Sequence, residues 1–380
     1  MKIRISKQEL NEAVQHVSKA ISNKTTIQIL TGIKLEVESD QVTLTASDID
    51  TTIQAFIPIE AASGSEIVTV EQTGSVVLPA KFFIDIIKKL PKDSVEIEVG
   101  DGFSTRIKSG RTDIELVGME PEEFPKAPAV DDDLTFAIAG SKLKELIRST
   151  VFAVSTNEAS PILTGVLWNL DGGRLKLLAT DRHRLASVIA AIDAPEDMSF
   201  HNTVIAAKTL NELVKIIPDQ GDVEISVGNS QVLFNVGAAH FYTRLLDGTF
   251  PDTSKIIPTA FKSELDVSSK AFESALDRAY LLAREEKTNI VRMNAADDGA
   301  VRIESTSSGV GKVLEELEAD KFTGEPLRIA FNSKYMLDVL KVVESEQIHI
   351  GFTGPMSPII IRPGGGSDSL YLILPYRVPV

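Results

Sequence analysis

The 380-residue chain contains no cysteine and only one tryptophan. The absence of cysteine excludes disulfide bonds, thiolate metal sites and cysteine nucleophiles, and it is typical of proteins from a reducing cytosol. No apolar run approaches the length of a membrane span, and residues 1–10 lack the apolar core of a signal peptide. We therefore expect a cytoplasmic protein that has no membrane partner.

Basic residues are scarce relative to acidic ones. The chain has 39 Lys and Arg against 54 Asp and Glu, which gives a net charge of −15. Such a charge disfavours adhesion to nucleic acid by bulk attraction. The remaining composition, 43% hydrophobic and 24% charged, is that of an ordinary globular protein. The length predicts about two to four domains.

The chain also lacks a recognisable catalytic motif. None of the five histidines has metal-ligand spacing to another, and His183 is either a general base or a residue of a turn or binding groove. The run Asp131–Asp133 fits a linker better than a cation site. Gly364–Gly366 open no helix, so they fit a hairpin turn better than a phosphate loop. We predict no catalytic residues, no metal and no cofactor.

The chain does contain one unit repeated three times. Residues 78–90, 205–217 and 334–343 each place apolar side chains at i, i+3, i+4 and i+7 and an acid three residues before a lysine. These pairs are Asp85/Lys88, Glu212/Lys215 and Asp338/Lys341. The acids lie 127 and 126 residues apart. The repeat predicts domains at 1–128, 129–258 and 259–380.

Each repeat combines helical and strand patterns. The predicted helices span 7–19, 80–90, 141–149, 208–217, 269–284 and 332–343. Alternating segments such as 95–99, 223–227 and 348–352 are typical of half-buried antiparallel strands. We predict an α+β fold in which each domain packs two helices on an antiparallel sheet, and in which domains join edge to edge into an open or closed array.

Charge is distributed unevenly between these elements. The predicted helices sum to +7, which leaves −22 for the sheets and loops. Lys and Arg favour helix surfaces in general, which is one explanation. The other is a basic helical layer that lines a channel for a polyanion, with an acidic exterior.

The C-terminal segment 372–380 is apolar and contains two prolines, although chain ends are usually polar. One interpretation is a last edge strand that packs on its own domain. The other is one wall of an exposed apolar groove for a partner peptide.

The triplicated unit, together with segments 179–186, 247–252 and 374–377, resembles the bacterial β sliding clamp family, the processivity subunit of DNA polymerase III. The resemblance covers the whole chain in order. It implies a head-to-tail homodimeric ring of six domains, with helices inside and sheets outside, that encircles double-stranded DNA without reading its sequence. It further implies the replicative DNA polymerase, an ATP-driven clamp loader and other clamp-motif peptides as partners.

Simple geometry favours a dimer. Six helices spaced about 9 Å apart form a circle too narrow for a duplex roughly 20 Å wide, whereas twelve leave roughly 24 Å free. Two rival hypotheses are a three-repeat scaffold that binds proteins without DNA and a carboxylate-dependent hydrolase.

The resemblance also implies three sets of site residues. DNA contacts would come from Lys24, Lys81, Asn157 and Lys208. Ring closure would place Ile114 and Leu116 of one chain against Leu281 and Leu282 of its partner. The partner-peptide pocket would use Leu163, Thr180, Arg182, His183, Arg184, Leu185, Pro251, Lys255, Ile256, Asn332, Tyr335, Met356, Pro358, Leu372, Ile373, Leu374, Pro375, Tyr376 and Arg377.

The chain departs from the family pattern at several positions. Arg182 stands where glycine is common, and Tyr376 and the added residues 378–380 change the rim of the pocket. Pro161 and Ile162 stand where some members carry two aromatic residues. These departures leave the preferred peptide open.

Overall fold

The computed structural model describes residues 1–22, 25–130, 134–296, 299–366 and 368–377. The chain forms two compact units. The first contains residues 1–143 and 212–245, and the second contains residues 144–211 and 246–380. The middle sequence repeat therefore contributes to both units.

The described residues form six α-helices, and all six predicted helices are confirmed with ends shifted by at most three residues. They are α1 (Lys7–Val17), α2 (Ala80–Lys89), α3 (Gly140–Val151), α4 (Ala207–Ile216), α5 (Ser269–Glu285) and α6 (Ser333–Leu340). The predicted apolar stripe of α1, from Leu10 to Val17, is buried. None of the helices in the described ranges is long and apolar enough to span a membrane.

Side-chain caps and proline set the helix ends. Asn332 Oδ1 accepts hydrogen bonds from the backbone N–H groups of Lys334 at 3.0 Å and Tyr335 at 3.4 Å, which satisfies first-turn donors of α6. Helix α2 ends at Lys89 because Pro91 restricts the preceding residue, Leu90, to an extended conformation.

The first unit contains two antiparallel sheets. The five-stranded sheet has the order β5 (Val68–Gln72), β1 (Lys2–Ser6), β7 (Ser94–Val99), β8 (Ser104–Ser109) and β9 (Thr112–Val117). The eight-stranded sheet has the order β10 (Thr135–Ala139), β15 (Asp222–Val227), β16 (Gln231–Val236), β17 (Ala239–Arg244), β4 (Thr51–Pro58), β3 (Gln41–Ser47), β2 (Gly32–Val37) and β6 (Gly74–Pro79). In β7, Val95 and Ile97 are buried while Glu96 and Glu98 are exposed, as the alternation predicted.

The eight-stranded sheet joins the first two repeats. Strand β17 of the middle repeat pairs antiparallel with β4 of the first, with Ala239 opposite Ala55 and Thr243 opposite Thr51. This pairing is the edge-to-edge junction that the sequence predicted.

The second unit also contains two antiparallel sheets. The nine-stranded sheet has the order β14 (Phe200–Ala206), β11 (Gly165–Asp171), β12 (Arg174–Thr180), β13 (Arg184–Ala191), β26 (Leu370–Ile373), β25 (Ile359–Pro363), β24 (Gln347–Phe352), β18 (Ser263–Ser268) and β22 (Lys321–Gly324). The four-stranded sheet has the order β21 (Gly311–Glu318), β20 (Ala300–Ser307), β19 (Ile290–Ala295) and β23 (Leu327–Asn332).

The C-terminal strand β26 lies inside the nine-stranded sheet. Leu372 pairs with Ile360 of β25 on one side and with Leu185 of β13 on the other. The interpretation of this segment as an edge strand on its own domain is therefore wrong. The hairpin prediction for Gly364–Gly366 is confirmed, because β25 and β26 pair antiparallel around it.

Candidate partner-peptide site and nucleic-acid residues

A tight turn between β12 and β13 forms the centre of the candidate site. Asp181 Oδ1 accepts hydrogen bonds from the backbone N–H groups of His183 and Arg184, both at 2.9 Å. Thr180 Oγ1 donates to Arg184 O at 2.6 Å and accepts from Arg182 N at 3.1 Å. These short side chains close the turn, which holds Arg182 at a φ of +76°.

The charge of Arg184, the last residue of this turn, is paired with two carboxylates. Its Nε lies 3.0 Å from Asp181 Oδ2 and its Nη1 lies 2.6 Å from Asp338 Oδ2, and the side chain is only 12% exposed. The guanidinium also stacks on the rings of Tyr335, at 4.5 Å, and Phe152, at 5.5 Å. Burial, and after it the Asp181 carboxylate, raises the pKa of Tyr335. The two carboxylates balance the Arg184 charge and tie β13 to α6.

Two cavities open beside the turn. The first, which we name the polar cavity, has a volume of about 430 Å³. It is lined by Val154, Ser155, Thr156, Asn157, Ser160, Leu163, Asp181, Arg182, His183, Arg184, Lys334 and Tyr335. Its wall mixes hydroxyl, amide and charged groups, which suits a hydrophilic side chain.

The second, which we name the apolar cavity, has a volume of about 540 Å³. It is lined by Thr180, Arg182, Arg184, Leu185, Lys255, Ile256, Pro258, Thr353, Ser357, Pro358, Leu372 and Leu374. Leu185 and Leu372 are buried in one cluster with Leu163, whereas Ile256 and Leu374 on the rim are 44% and 37% exposed. A rigid apolar floor with exposed apolar walls suits hydrophobic anchors of a peptide.

The end of the chain is fixed beside these cavities. Leu374 N donates to His183 O at 2.8 Å, and Tyr376 N donates to Ala330 O at 2.7 Å. The first bond continues the pairing of β26 with β13 and holds Leu374 in the wall of the apolar cavity, and the second ties the chain to β23.

The structure brings most of the predicted pocket residues together. Those that line at least one of the two cavities are Leu163, Thr180, Arg182, His183, Arg184, Leu185, Lys255, Ile256, Tyr335, Pro358, Leu372 and Leu374. Those that line neither are Pro251, Asn332, Met356, Ile373, Pro375, Tyr376 and Arg377. Ile373 is fully buried and does not line the apolar cavity with Leu372, because successive side chains of β26 point to opposite faces.

Sequence reasoning missed several lining residues, among them Ser160, Lys334, Thr353 and Ser357. Lys334 precedes Tyr335 in the first turn of the repeated helix, so its position was a usable signal. The other three lie outside helices and strands, where no periodic pattern marks them.

The predicted DNA contacts lie in both units. Lys24 is outside the described residues. Lys81 is exposed in the first turn of α2, with Nζ 5.8 Å from the centre of the Phe82 ring. Lys208 is exposed at the corresponding position of α4. Asn157 is exposed in a loop, where its Oδ1 accepts a hydrogen bond from a backbone N–H at 2.9 Å.

The residues predicted to close the ring lie on strand β9 and helix α5. Ile114 and Leu116 are half-buried on β9, the last strand of its sheet among the described residues. Leu281 is 47% exposed on α5 and Leu282 is half-buried. Ile114 also lines a cavity of about 320 Å³ with the exposed ring of Phe82.

Within the described ranges, no group of three or more His, Asp or Glu side chains is placed to hold a metal ion. His183 is exposed in the turn beside the polar cavity. The groups that line the two cavities are apolar surface, hydrogen-bonding side chains and cationic side chains.

Comparison with known proteins gives concordant results. The family models for the N-terminal, central and C-terminal domains of the DNA polymerase III beta subunit match residues 1–128, 137–252 and 254–377. The beta sliding clamp of Bacillus subtilis is 47% identical over 378 residues, which cover 99% of this chain and 100% of that protein. The beta sliding clamp of Halalkalibacterium halodurans is 44% identical over 366 residues, which cover 96% of each.

Solved structures of bacterial clamps share this fold over nearly the whole chain. The crystal structure of the DNA polymerase sliding clamp from Bacillus subtilis matches with a TM-score of 0.97 and covers 100% of both chains. The beta chain of DNA polymerase III from Streptococcus pneumoniae matches with a TM-score of 0.94 at 32% identity, and covers 99% of this chain and 100% of that one. The chain therefore belongs to the family of DNA polymerase III beta subunits, the bacterial sliding clamps.

Proposed function

We propose that this protein is a DNA sliding clamp. It encircles duplex DNA, tethers the replicative polymerase to it and performs no chemistry of its own. The observation that carries the proposal is the likeness to beta sliding clamps over the full length, in sequence and in structure. Tethering raises processivity because a polymerase that releases the primer end rebinds in an effectively intramolecular step.

The polar and apolar cavities form the docking site for partner peptides. Apolar anchors of the peptide fill the apolar cavity over Leu185 and Leu372, and a glutamine of the peptide bonds within the polar cavity. The replicative polymerase, the clamp loader and other partners present such peptides in turn. The same site thereby serves all of them one at a time.

The ring closes as a head-to-tail homodimer. Strands β9 and β21 are the outer strands of their sheets in the described part of the chain. Pairing of β9 with the partner's β21 would extend both sheets and cover Ile114, Leu116, Leu281 and Leu282. Exposed strand edges are otherwise sites of aggregation, so a dimer also protects them.

The helical layer faces the DNA. Lys81 and Lys208 on the helices, together with Lys24 and the loop residue Asn157, contact the phosphate backbone, which carries no sequence information and so permits sliding. The acidic remainder of the chain disfavours binding to DNA outside the ring.

The ring consists of three clamp domains per chain, 1–128, 129–258 and 259–380. Opening requires an ATP-driven loader, and the clamp itself needs no cofactor. It acts in the cytoplasm, where the replicated DNA lies.

A primer-extension assay on a singly primed circular template tests the proposal. With a bacterial clamp loader, ATP and the replicative polymerase, addition of the protein should lengthen the product made in one polymerase binding event. Omission of the loader is the control and should abolish the effect. Unchanged product length with all components present would favour a scaffold that does not bind DNA.

A further inference from the structure

Arg182 holds a backbone conformation that L-residues rarely adopt. Its φ is +76°, and Ile49 at the same place in the first repeat has a φ of +84°. In both turns the preceding aspartate, Asp181 or Asp48, accepts a hydrogen bond from a backbone N–H three residues later. The turn therefore demands a left-handed residue, and glycine would satisfy it without strain. The chain instead carries a large cationic side chain at this point of the candidate site.

The Arg182 side chain lies on the wall shared by the two cavities. It is exposed and lines both the polar and the apolar cavity. Its Nη2 donates to Ser160 Oγ at 3.0 Å, a bond that orients the guanidinium and leaves other N–H donors available. In the described part of the chain, no carboxylate forms an ion pair with it.

The other charges around the apolar cavity are partly balanced. No carboxylate is among its lining residues. Arg184 is neutralised by its two carboxylates. Lys255 follows Asp252 by three residues, and hydrogen bonds from Ser254, and after them the Lys255 charge, lower the pKa of that carboxyl. Arg182, and the exposed Lys334 across the polar cavity, carry the remaining positive charge. A local positive site on a chain of net charge −15 indicates an acidic ligand.

We propose that Arg182 is a specificity residue that binds an Asp or Glu side chain of the partner peptide. This inference rests on the proposed peptide site. The peptide lies extended across the turn with its apolar anchors in the apolar cavity, and its carboxylate meets the guanidinium at the wall between the cavities. A planar guanidinium suits a carboxylate because two parallel N–H···O bonds form at once.

Titration calorimetry with matched peptides tests the inference. Three synthetic peptides, each with a glutamine and spaced leucine and phenylalanine anchors, differ only in carrying Asp, Asn or Lys between the anchors. The wild-type dimer should bind the Asp peptide about tenfold more tightly than the Asn peptide, and the Lys peptide most weakly. The ratio should shrink at high salt, because an exposed charge pair is screened.

Substitutions at two equivalent turns provide the controls. Arg182→Gly fits the turn and should keep the melting temperature while reducing the Asp-to-Asn ratio to about one. Arg182→Lys should retain part of the preference. Ile49→Gly makes the same backbone change in the first repeat and should leave the ratio intact.

Each outcome has one meaning. Equal binding of the Asp and Asn peptides by the wild type overturns the specificity role and leaves the peptide site standing. If Arg182→Gly weakens the binding of all three peptides by the same factor, the specificity role is overturned and Arg182 has a purely structural role through Ser160. Failure of the wild type to bind any of the three overturns the proposed peptide site itself.

Discussion

The ion pairs of Arg184 and Arg174, two residues of the same sheet, differ in their exposure to solvent. The Arg184 pairs with Asp181 and Asp338 involve side chains that are 12% to 20% exposed. The pair of Arg174 with Asp368 involves side chains that are 59% and 60% exposed. Removal of one partner from the buried cluster leaves a poorly solvated charge, whereas water replaces a partner at the surface.

Asp338→Ala should therefore lower the free energy of unfolding by about 2–4 kcal/mol, since Arg184 keeps only Asp181. Asp368→Ala is the control and should change it by less than about 1 kcal/mol. The urea midpoints of the two variants measure the difference. Equal shifts would contradict the assignment of the Arg184 cluster as a stabilising contact.

The environment of His240 indicates that the stability of the first unit depends on pH. Burial lowers the pKa of His240, which packs edge-on against Phe56 with ring centres 4.6 Å apart, although nearby Glu224 opposes the shift. The folded pKa is then below the unfolded value of about 6.5, so the unfolded chain takes up the proton first. The contribution of His240 to the free energy of unfolding is complete above the unfolded pKa. It is lost as the pH falls from there through the lower folded pKa.

Melting temperatures from pH 7.5 to 5.5 measure this effect. His240→Gln should flatten the decline on the acid side, because the variant has no imidazole to protonate. His201→Gln changes an exposed histidine and is the comparison. An unaltered slope in His240→Gln would exclude His240 as the source.

At the scale of elements, the sequence predicts what repeats locally and misses what depends on distant pairing. The apolar stripes of α1 and α5 identify helices, because a 3.6-residue period is visible in a short stretch of sequence. The position of β26 in its sheet could not be predicted in this way. Its partner β13 lies about 186 residues earlier, and an alternating pattern does not specify a partner strand. The apolar cavity depends on that pairing, so Leu372 and Leu374 could be placed in the site through family resemblance alone.

The C-terminal strand should be necessary for peptide binding. Truncation after Ile373 removes Leu374 from the apolar cavity and the bonds of Leu374 and Tyr376 to His183 and Ala330. Binding of the peptide should be lost while the dimer persists. Truncation after Arg377 removes only residues 378–380 and should keep binding. Unchanged calorimetric affinity after the first truncation would locate the peptide elsewhere.

At the scale of the whole molecule, the proposed encirclement of DNA depends on dimerisation. The six helices in the described part of one 41.2 kDa chain are too few to enclose a duplex, so the proposed ring requires two chains. In the described part of the chain, β9 and β21 are outer strands of their sheets, and Leu281 on α5 exposes an apolar side chain.

Leu281→Ala combined with Leu282→Ala should convert the dimer to monomers. Two truncated leucines cost roughly 2–5 kcal/mol each where they are buried in an interface. Ile256→Ala is the matched control, because Ile256 is similarly exposed at 44% but lies on the cavity rim. Analytical ultracentrifugation at micromolar concentration should show the control near twice 41.2 kDa and the double variant near 41.2 kDa. A monomeric wild type would contradict the ring.

Retention on circular and linearised DNA at the same salt concentration tests encirclement most directly. A complex held by ion pairs to six to ten phosphates loses affinity by roughly 10³–10⁵ between 50 and 200 mM salt, whatever the form of the DNA. A ring stays on a closed circle without such pairs. The loaded protein should therefore survive a high-salt wash on nicked circular DNA and be lost within minutes once the circle is cut. Equal loss from both forms would contradict encirclement.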